Sequence, residues 1–106
     1  MLENARIKAV MLGFGDHGEP TLWITCEQGS VVQGYGGMDL RAVDFAKMLL
    51  ALLRVCGARE WDHLKGKYVR IERDKNDAIA RLGHIINDDW LEWREFVNQR
   101  TPGDAK

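Results

Sequence analysis

Three glycines stand where a predicted strand runs into a predicted helix. Residues 32–40 read Val-Gln-Gly-Tyr-Gly-Gly-Met-Asp-Leu, with Gly34, Gly36 and Gly37 before the helix. Glycine admits positive φ and a close approach by another group, and amides at a helix N-terminus can bind an anion or a carbonyl oxygen. The lysine and hydroxyl that end a P-loop are missing, and Asp39 puts a negative charge where an anion would lie. We predict tight strand-to-helix packing here, with a backbone contact to a ligand or partner as the alternative.

A histidine near two carboxylates forms a second candidate site. His84 precedes Asp88 and Asp89 in the stretch Gly-His-Ile-Ile-Asn-Asp-Asp-Trp at residues 83–90. Imidazole and carboxylate groups at this spacing can bind a metal or transfer protons. A strand followed by a helix cap explains the same residues. The sequence predicts no catalytic residue, metal or cofactor, and a metal-dependent hydrolase that uses His84, Asp88 and Asp89 remains an alternative.

Basic side chains gather on the predicted last hairpin, at Lys65, Lys67, Arg70, Arg73, Lys75 and Arg81. A sheet edge protected by charge is the simpler interpretation, and a basic face that meets nucleic acid or an acidic protein is the alternative. Tyr68 is the one aromatic residue among them, so direct binding of nucleic acid is not expected.

Hydrophobic periodicity predicts an α+β domain with the order βββ-α-ββ-α. About five antiparallel strands, at residues 5–14, 21–27, 30–35, 67–73 and 78–86, are expected to pack on one long apolar helix. That helix runs from Leu40 to about Cys56, with Asp39 as its N-cap and Gly57 after its end. A short C-terminal helix is predicted from Asp89 to Gln99. Residues 1–100 form a single domain in this scheme, and residues 101–106 form a flexible tail.

The predicted long helix is apolar on more than one side. Its core side is predicted to carry Val43, Ala46, Leu49, Leu50, Leu53 and Cys56, and the apolar surface is widened by Phe45, Met48, Leu52 and Val55. Such a surface must be covered, and a net charge of -1 gives little repulsion between copies. We therefore predict a homodimer.

Composition limits the classes to which the protein can belong. The chain has 106 residues, of which 45% are hydrophobic and 29% charged, so it is not a disordered chain. No apolar run approaches the ~18 residues of a membrane span, and Cys26 and Cys56 do not make a disulfide framework. We predict a cytoplasmic protein. Trp23 and Trp93 are expected to be partly exposed, which favours a protein interface.

Four ordered blocks resemble a family of small proteins from phages and prophages. They lie at residues 16–18, 33–40, 61–70 and 83–90; the second reads Gln-Gly-x-Gly-Gly-x-x-Leu and the fourth Gly-His-Ile-Ile-x-Asp-Asp-Trp. The resemblance covers roughly residues 5–90 and implies an origin in a mobile element. Small phage proteins of this kind are often inhibitors that bind host machinery, with anti-CRISPR proteins among them.

These observations together predict a non-enzymatic phage or prophage protein in the cytoplasm of an infected or lysogenic bacterial host. Its expected partner is a host protein, such as a nuclease complex of antiviral defence. The predicted contact residues are Gln33, Tyr35, Gly36, Gly37, Arg70 and Arg73. A dimer that binds a nucleotide or other small ligand around the glycine stretch is the alternative function.

Overall fold

One antiparallel sheet dominates the protein. A computed structural model describes residues 2–97. The strands are β1 (Leu2–Phe14), β2 (Pro20–Gln28), β3 (Val31–Asp39), β4 (Tyr68–Arg73), β5 (Ile79–Gly83) and β6 (Trp90–Leu91), in the sheet order β3-β2-β1-β4-β5-β6. Across these residues there is one α-helix, α1 (Phe45–Cys56), and there are short 3-10 helices at Leu40–Ala42, Trp61–His63 and Trp93–Phe96. The α+β class is confirmed, with six strands in place of about five.

The long first strand pairs with two neighbours. Residues 6–14 of β1 pair with β2, and residues 2–6 pair with β4. A bulge between Ile7 and Ala9 separates the two halves, and such bulges bend a strand and increase its twist. The backbone of Ile7 completes the β4 side by bonding to Lys67 and Gly66, each at 2.8 Å.

The sheet curls until β3 at one edge approaches β5 and β6 at the other. Gln33 on β3 donates from Nε2 to the carbonyl oxygen of Asp77 in the β4–β5 turn at 2.7 Å. Just after β3, Val43 forms an antiparallel bridge with Val97. The result is a partly closed barrel whose inner face forms the hydrophobic core.

Alternation along the strands sorts side chains between the core and the outer face. On β2, Leu22, Ile24 and Cys26 are buried, and Trp23 between them is 41% exposed, as predicted. The largest fully buried side chains come from the strands, from α1 and from the segment before β4: Ile7, Ile24, Met48, Leu52, Leu64, Ile71, Leu82, Val55 and Val69. None of the described helices is long and apolar enough to cross a membrane.

The helix predicted from Leu40 is interrupted. Asp39 caps only the 3-10 turn Leu40–Ala42, and Val43 is extended, with φ −129° and ψ 160°. Asp44 then caps α1 by accepting from the backbone N of Lys47. Two aspartates five residues apart can each cap a first turn, so the chain starts a helix twice. Gly57 ends α1 in the left-handed conformation, with φ 67°, as predicted.

The restart at Phe45 changes the side of the helix that faces the core. Met48, Ala51, Leu52, Val55 and Cys56 are buried. The predicted core side is wrong at Ala46 and Leu50, which are exposed, Leu50 by 66%. Because the chain is extended at Val43, the helical phase does not carry over from Leu40.

The helix predicted from Asp89 is also wrong over the described residues. Trp90–Leu91 pairs with β5 as strand β6, and Trp93–Phe96 is a 3-10 helix. Strand pairing and the seating of Trp90 against Gly83 override the local helical pattern, since a Cβ on Gly83 would lie 2.6 Å from the indole. The predicted helix end at Gln99 and the tail at 101–106 lie outside the described residues.

Candidate functional site

The glycines of β3 make room for an indole ring. Trp23, on the outer face of β2, lies across β3. A Cβ added at Gly34 would come within 2.9 Å of Trp23 Cε3, and one at Gly37 within 2.4 Å of Cζ2. Both distances are well below the optimal separation of carbon atoms, about 3.5–4.0 Å. The glycine stretch therefore seats Trp23 on the sheet, and the ring covers the space that a phosphate would need.

Gly36 brings its backbone close to β2. Its φ is 128°, and a Cβ there would lie 2.2 Å from the carbonyl oxygen of Leu22. The β2–β3 register shifts between Thr21 and Trp23 at this level. The buried Thr21 donates from Oγ1 to the carbonyl oxygen of Met38 at 3.0 Å. The glycine stretch is thus a tightly packed junction, but its glycines pack against β2 and not against a helix as predicted.

A groove of about 320 Å³ opens beside Trp23. Its lining includes Met11 and Phe14 of β1, Trp23 of β2 and Gly37 of β3. Phe14 is 79% exposed, Trp23 41% and Met11 40%. We term this surface the Trp23 groove. It joins the turn between β1 and β2 to the glycine stretch, two segments that are far apart in the sequence.

The β1–β2 turn forms the polar rim of the groove. Gly15 N donates to Glu19 O at 2.7 Å, and His17 N donates to Glu19 Oε2 at 3.1 Å. The Glu19 side chain lies against Gly15, where a Cβ would meet its carboxylate. Asp16 and His17 are exposed at the same rim. The rim is therefore rich in carboxylate groups.

The Asp39 carboxylate accepts a hydrogen bond from the backbone amide that opens the 3-10 turn after the glycines. Its Oδ1 accepts from Arg41 N at 2.9 Å, and the Arg41 guanidinium donates to both carboxylate oxygens at 3.0 and 2.8 Å. These contacts, the guanidinium first, lower the pKa of Asp39 from 3.8 to about 2. An anion at this corner would have to displace that carboxylate.

Replacing the guanidinium should therefore raise the pKa of Asp39. In Arg41→Met, we expect the pKa to move up from about 2 but to stay below 3.8, because the backbone contact remains. A titration of the Asp39 carboxyl by NMR measures this shift, and Arg94→Met is the matched control. A pKa near 3.8 in the unmodified protein would contradict the ion pair.

Tyr35 lies in the core. It is 4% exposed, its hydroxyl accepts from Trp93 N at 2.9 Å and donates to Leu91 O at 3.4 Å. Burial raises the pKa of Tyr35 to about 12. Its side chain therefore belongs to the barrel interior, unlike the contact residue that the sequence predicted.

Gln33 and Arg73 come together where the barrel closes. Arg73 Nε donates to Gln33 Oε1 at 2.9 Å, and Arg73 also forms an ion pair with Glu3 and donates to Gln28 Oε1 at 3.2 Å. The Arg73 side chain is only 11% exposed. These contacts join four strands, and they use Nε and Nη1 of the Arg73 guanidinium.

Arg70 shapes the loop between β5 and β6. Its guanidinium donates to His84 O at 2.7 Å and to Asn87 O at 2.6 Å. It also lies 5.1 Å from the centre of the Trp90 ring, and Arg81 lies 4.1 Å from the same ring. The predicted contact residues thus do not form one surface. They lie in three separate places: at the glycine stretch, where the barrel closes, and at this loop.

Each member of the histidine and aspartate cluster has a structural partner. His84 Nδ1 accepts from the backbone N of Ile86 and Asn87, each at 3.0 Å. Asp88 accepts from Trp90 Nε1 at 2.7 Å, and Asp89 pairs with Arg54 at 2.8 Å. Between residues 2 and 97, no group of three His, Cys, Asp or Glu side chains is arranged to hold a metal ion. The metal-site alternative therefore stays a prediction that this arrangement does not support.

Sequence reasoning missed Met11 and Phe14 as site residues. Unbroken alternation in β1 places Met11 on the same face as Ile7, which is buried. The bulge between Ile7 and Ala9 moves Met11 to the outer face, opposite Trp23. No residue type in the strand marks that bulge, so only the exposed Trp23 signalled this surface.

Comparison of the chain with family models, with curated proteins and with solved structures finds no match. The resemblance to phage and prophage proteins therefore stays a prediction. Residues from two of its four blocks, 16–18 and 33–40, meet at the Trp23 groove.

Proposed function

We propose that the protein is a non-enzymatic binding protein that captures a partner protein in the Trp23 groove. The observation that carries the proposal is the exposure of Met11, Phe14 and Trp23 around one concave surface. Apolar patches of this kind, rimmed by polar groups, mark interaction sites. Tryptophan is also among the residues that contribute most to binding at interfaces.

The groove is held in place before any partner arrives. Trp23 rests on Gly34 and Gly37, and the β1–β2 turn is closed by a backbone hydrogen bond from Gly15 N to Glu19 O. A side chain that is already ordered loses little conformational entropy on binding. This rigidity favours a binding role for the surface over a purely structural role in the fold.

The charges of the rim favour a protein over a nucleic acid. Asp16 and Glu19 line the groove together with the apolar side chains. Phosphate groups would meet these carboxylates, whereas binding to nucleic acid depends on neutralising phosphate. A partner with an apolar side chain next to a basic one fits both features.

Topology gives independent support for this surface. A first strand shared by β2 and β4, and a helix between β3 and β4, resemble the OB barrel. In that barrel, oligonucleotides and oligosaccharides bind on the face of the second and third strands and at the loops that follow the first and fourth strands. The Trp23 groove occupies the same place, an analogy that indicates a surface and not a ligand.

The resemblance to phage proteins leads us to propose a host protein as the partner, with a component of antiviral defence as the first to test. Residues of two shared blocks line the groove, which is where a shared contact would lie. A nucleotide-binding dimer has less support, because Trp23 and Asp39 occupy the space and the amide beside the glycines.

Crosslinking from the groove tests the proposal. A photoreactive phenylalanine analogue replaces Phe14 in one variant and Tyr68, which is 62% exposed outside the groove, in the control. Both are expressed in a bacterial host that carries an active defence system. We expect a discrete adduct with a host protein, of a mass different from that of two crosslinked copies of this protein, from residue 14 and not from residue 68.

Binding measurements on the purified protein and its captured partner then give the size of the effect on affinity. We expect Trp23→Ala to weaken binding by at least about tenfold, because buried tryptophans at interfaces contribute on the order of 2 kcal/mol or more. Isothermal calorimetry measures the change, with Tyr68→Ala as the control. Unchanged affinity in Trp23→Ala, or a tighter complex with a thymidine oligonucleotide than with the captured protein, would overturn the proposal.

A further inference from the structure

The outer half of β1 has a free edge. Residues 2–6 pair with β4 and Ile7 bonds to the segment before β4, but within the described part of the chain residues 9–14 pair only with β2. The backbone groups on the other side of this half are open to another strand. Such an edge is a template for pairing unless charge, proline or a covering segment blocks it.

This edge is apolar on both faces. Met11 lies on the outer face, and Leu12, opposite the buried Leu22, lies on the inner face yet is 48% exposed. Phe14 at the end of the strand is 79% exposed. Lys8 is the one charged residue between residues 8 and 14. A single lysine at one end leaves most of the edge unprotected.

We propose that this edge pairs with the same edge of a second copy, antiparallel, about a two-fold axis at Met11. The axis lies at the middle of residues 8–14, so that the whole free segment is used. Two-fold pairing places Met11 opposite Met11, Val10 opposite Leu12, and Lys8 opposite Phe14. The same surface on both subunits is what a closed dimer requires.

The pairing is self-complementary in charge and in apolar contact. The exposed Leu12 meets Val10 of the second copy, which covers apolar surface on both. Lys8 meets an aromatic ring in place of another charge, a favourable contact for an ammonium group. No like charges face each other across the two-fold axis.

The proposed dimer shares Met11 and Phe14 with the Trp23 groove and leaves Trp23 itself outside the seam. Edge pairing extends a sheet in its own plane, so the outer face that carries Trp23 stays open. Two grooves then meet on one continuous sheet, with the two Met11 side chains between them. The dimer does not depend on the identity of the partner protein.

Light scattering on paired variants tests the proposed contact. We expect the mass of the unmodified protein to double as its concentration rises, and Leu12→Lys to remain monomeric. The matched control is Leu50→Lys, which replaces a 66% exposed leucine on α1 and should dimerise normally. A monomer at every concentration, or loss of the dimer in Leu50→Lys alone, would overturn the proposal.

A single cysteine tests the register without relying on loss of binding. Opposed Cα atoms in an antiparallel pair lie about 4.5–5.5 Å apart, within the range of about 4.4–6.8 Å for disulfides. Met11→Cys should form a disulfide-linked dimer on mild oxidation, and Ala9→Cys on the same face should not. The native Cys26 and Cys56 are buried and do not compete. Equal crosslinking in the two variants would rule out pairing about Met11.

Discussion

Gly36→Ala is expected to destabilise the protein by about 3 kcal/mol or more. A residue with a side chain at a φ of 128° carries strain on the order of 1–3 kcal/mol. The new Cβ would also lie 2.2 Å from the carbonyl oxygen of Leu22, a backbone atom held by the sheet. Since small domains are stable by only about 5–15 kcal/mol, we expect a large fall in the midpoint of urea unfolding followed by circular dichroism.

Gly29→Ala separates the cost of backbone strain from the cost of steric collision. Gly29 also has a positive φ, 60°, but a Cβ there meets no atom within 4 Å. It should therefore cost only the conformational penalty, about 1 kcal/mol. Equal losses of unfolding free energy in the two variants would show that the close approach of Gly36 to β2 does not contribute.

The local sequence pattern was sufficient to predict the structure where neighbouring residues alone determine it. Trp23 was predicted to be partly exposed and is 41% exposed, and Gly57 was predicted to follow the helix and ends α1. The features that failed depend on distant residues. Trp90 extends the sheet because Gly83, on another strand, offers a flat seat for its ring, and no local propensity contains that information.

The candidate site was only partly predictable for the same reason. Trp23 was expected to be exposed, and Gly37 was expected to contact something. Their contact with each other, and the position of Met11 beside them, follow from strand register and from one bulge in β1. A one-residue shift moves every later side chain to the other face of a strand, so Met11 could not be assigned from alternation alone.

Tyr35→Ala is expected to cost about 3–5 kcal/mol of unfolding free energy, the range for truncating a large buried aromatic side chain. Tyr35 is 4% exposed, and its hydroxyl joins β3 to the segment around β6. Tyr35→Phe keeps the ring and should cost about 1–2 kcal/mol, because the backbone groups of Leu91 and Trp93 lose their partner. Urea unfolding measures both. A near-neutral Tyr35→Ala would instead favour the surface role predicted from the sequence.

The hydroxyl of Tyr35 also makes stability depend on pH. Burial raises its pKa from 10.0 to about 12 in the folded protein. Its contribution is fully present below pH 10, and it is lost as the pH rises from about 10 to about 12, because the unfolded chain releases the proton first. Over that interval, the unmodified protein should lose on the order of 2 kcal/mol more than Tyr35→Phe.

The comparison with Tyr35→Phe isolates this one group. Cys26 and Cys56, whose pKa values burial also raises to about 11 and about 12, are present in both proteins. Their contributions cancel when the two unfolding free energies are subtracted at each pH, provided that the sites are independent. A constant difference between pH 10 and pH 12 would mean that the Tyr35 hydroxyl reaches solvent, and that the edge of the barrel between β3 and β6 opens in solution.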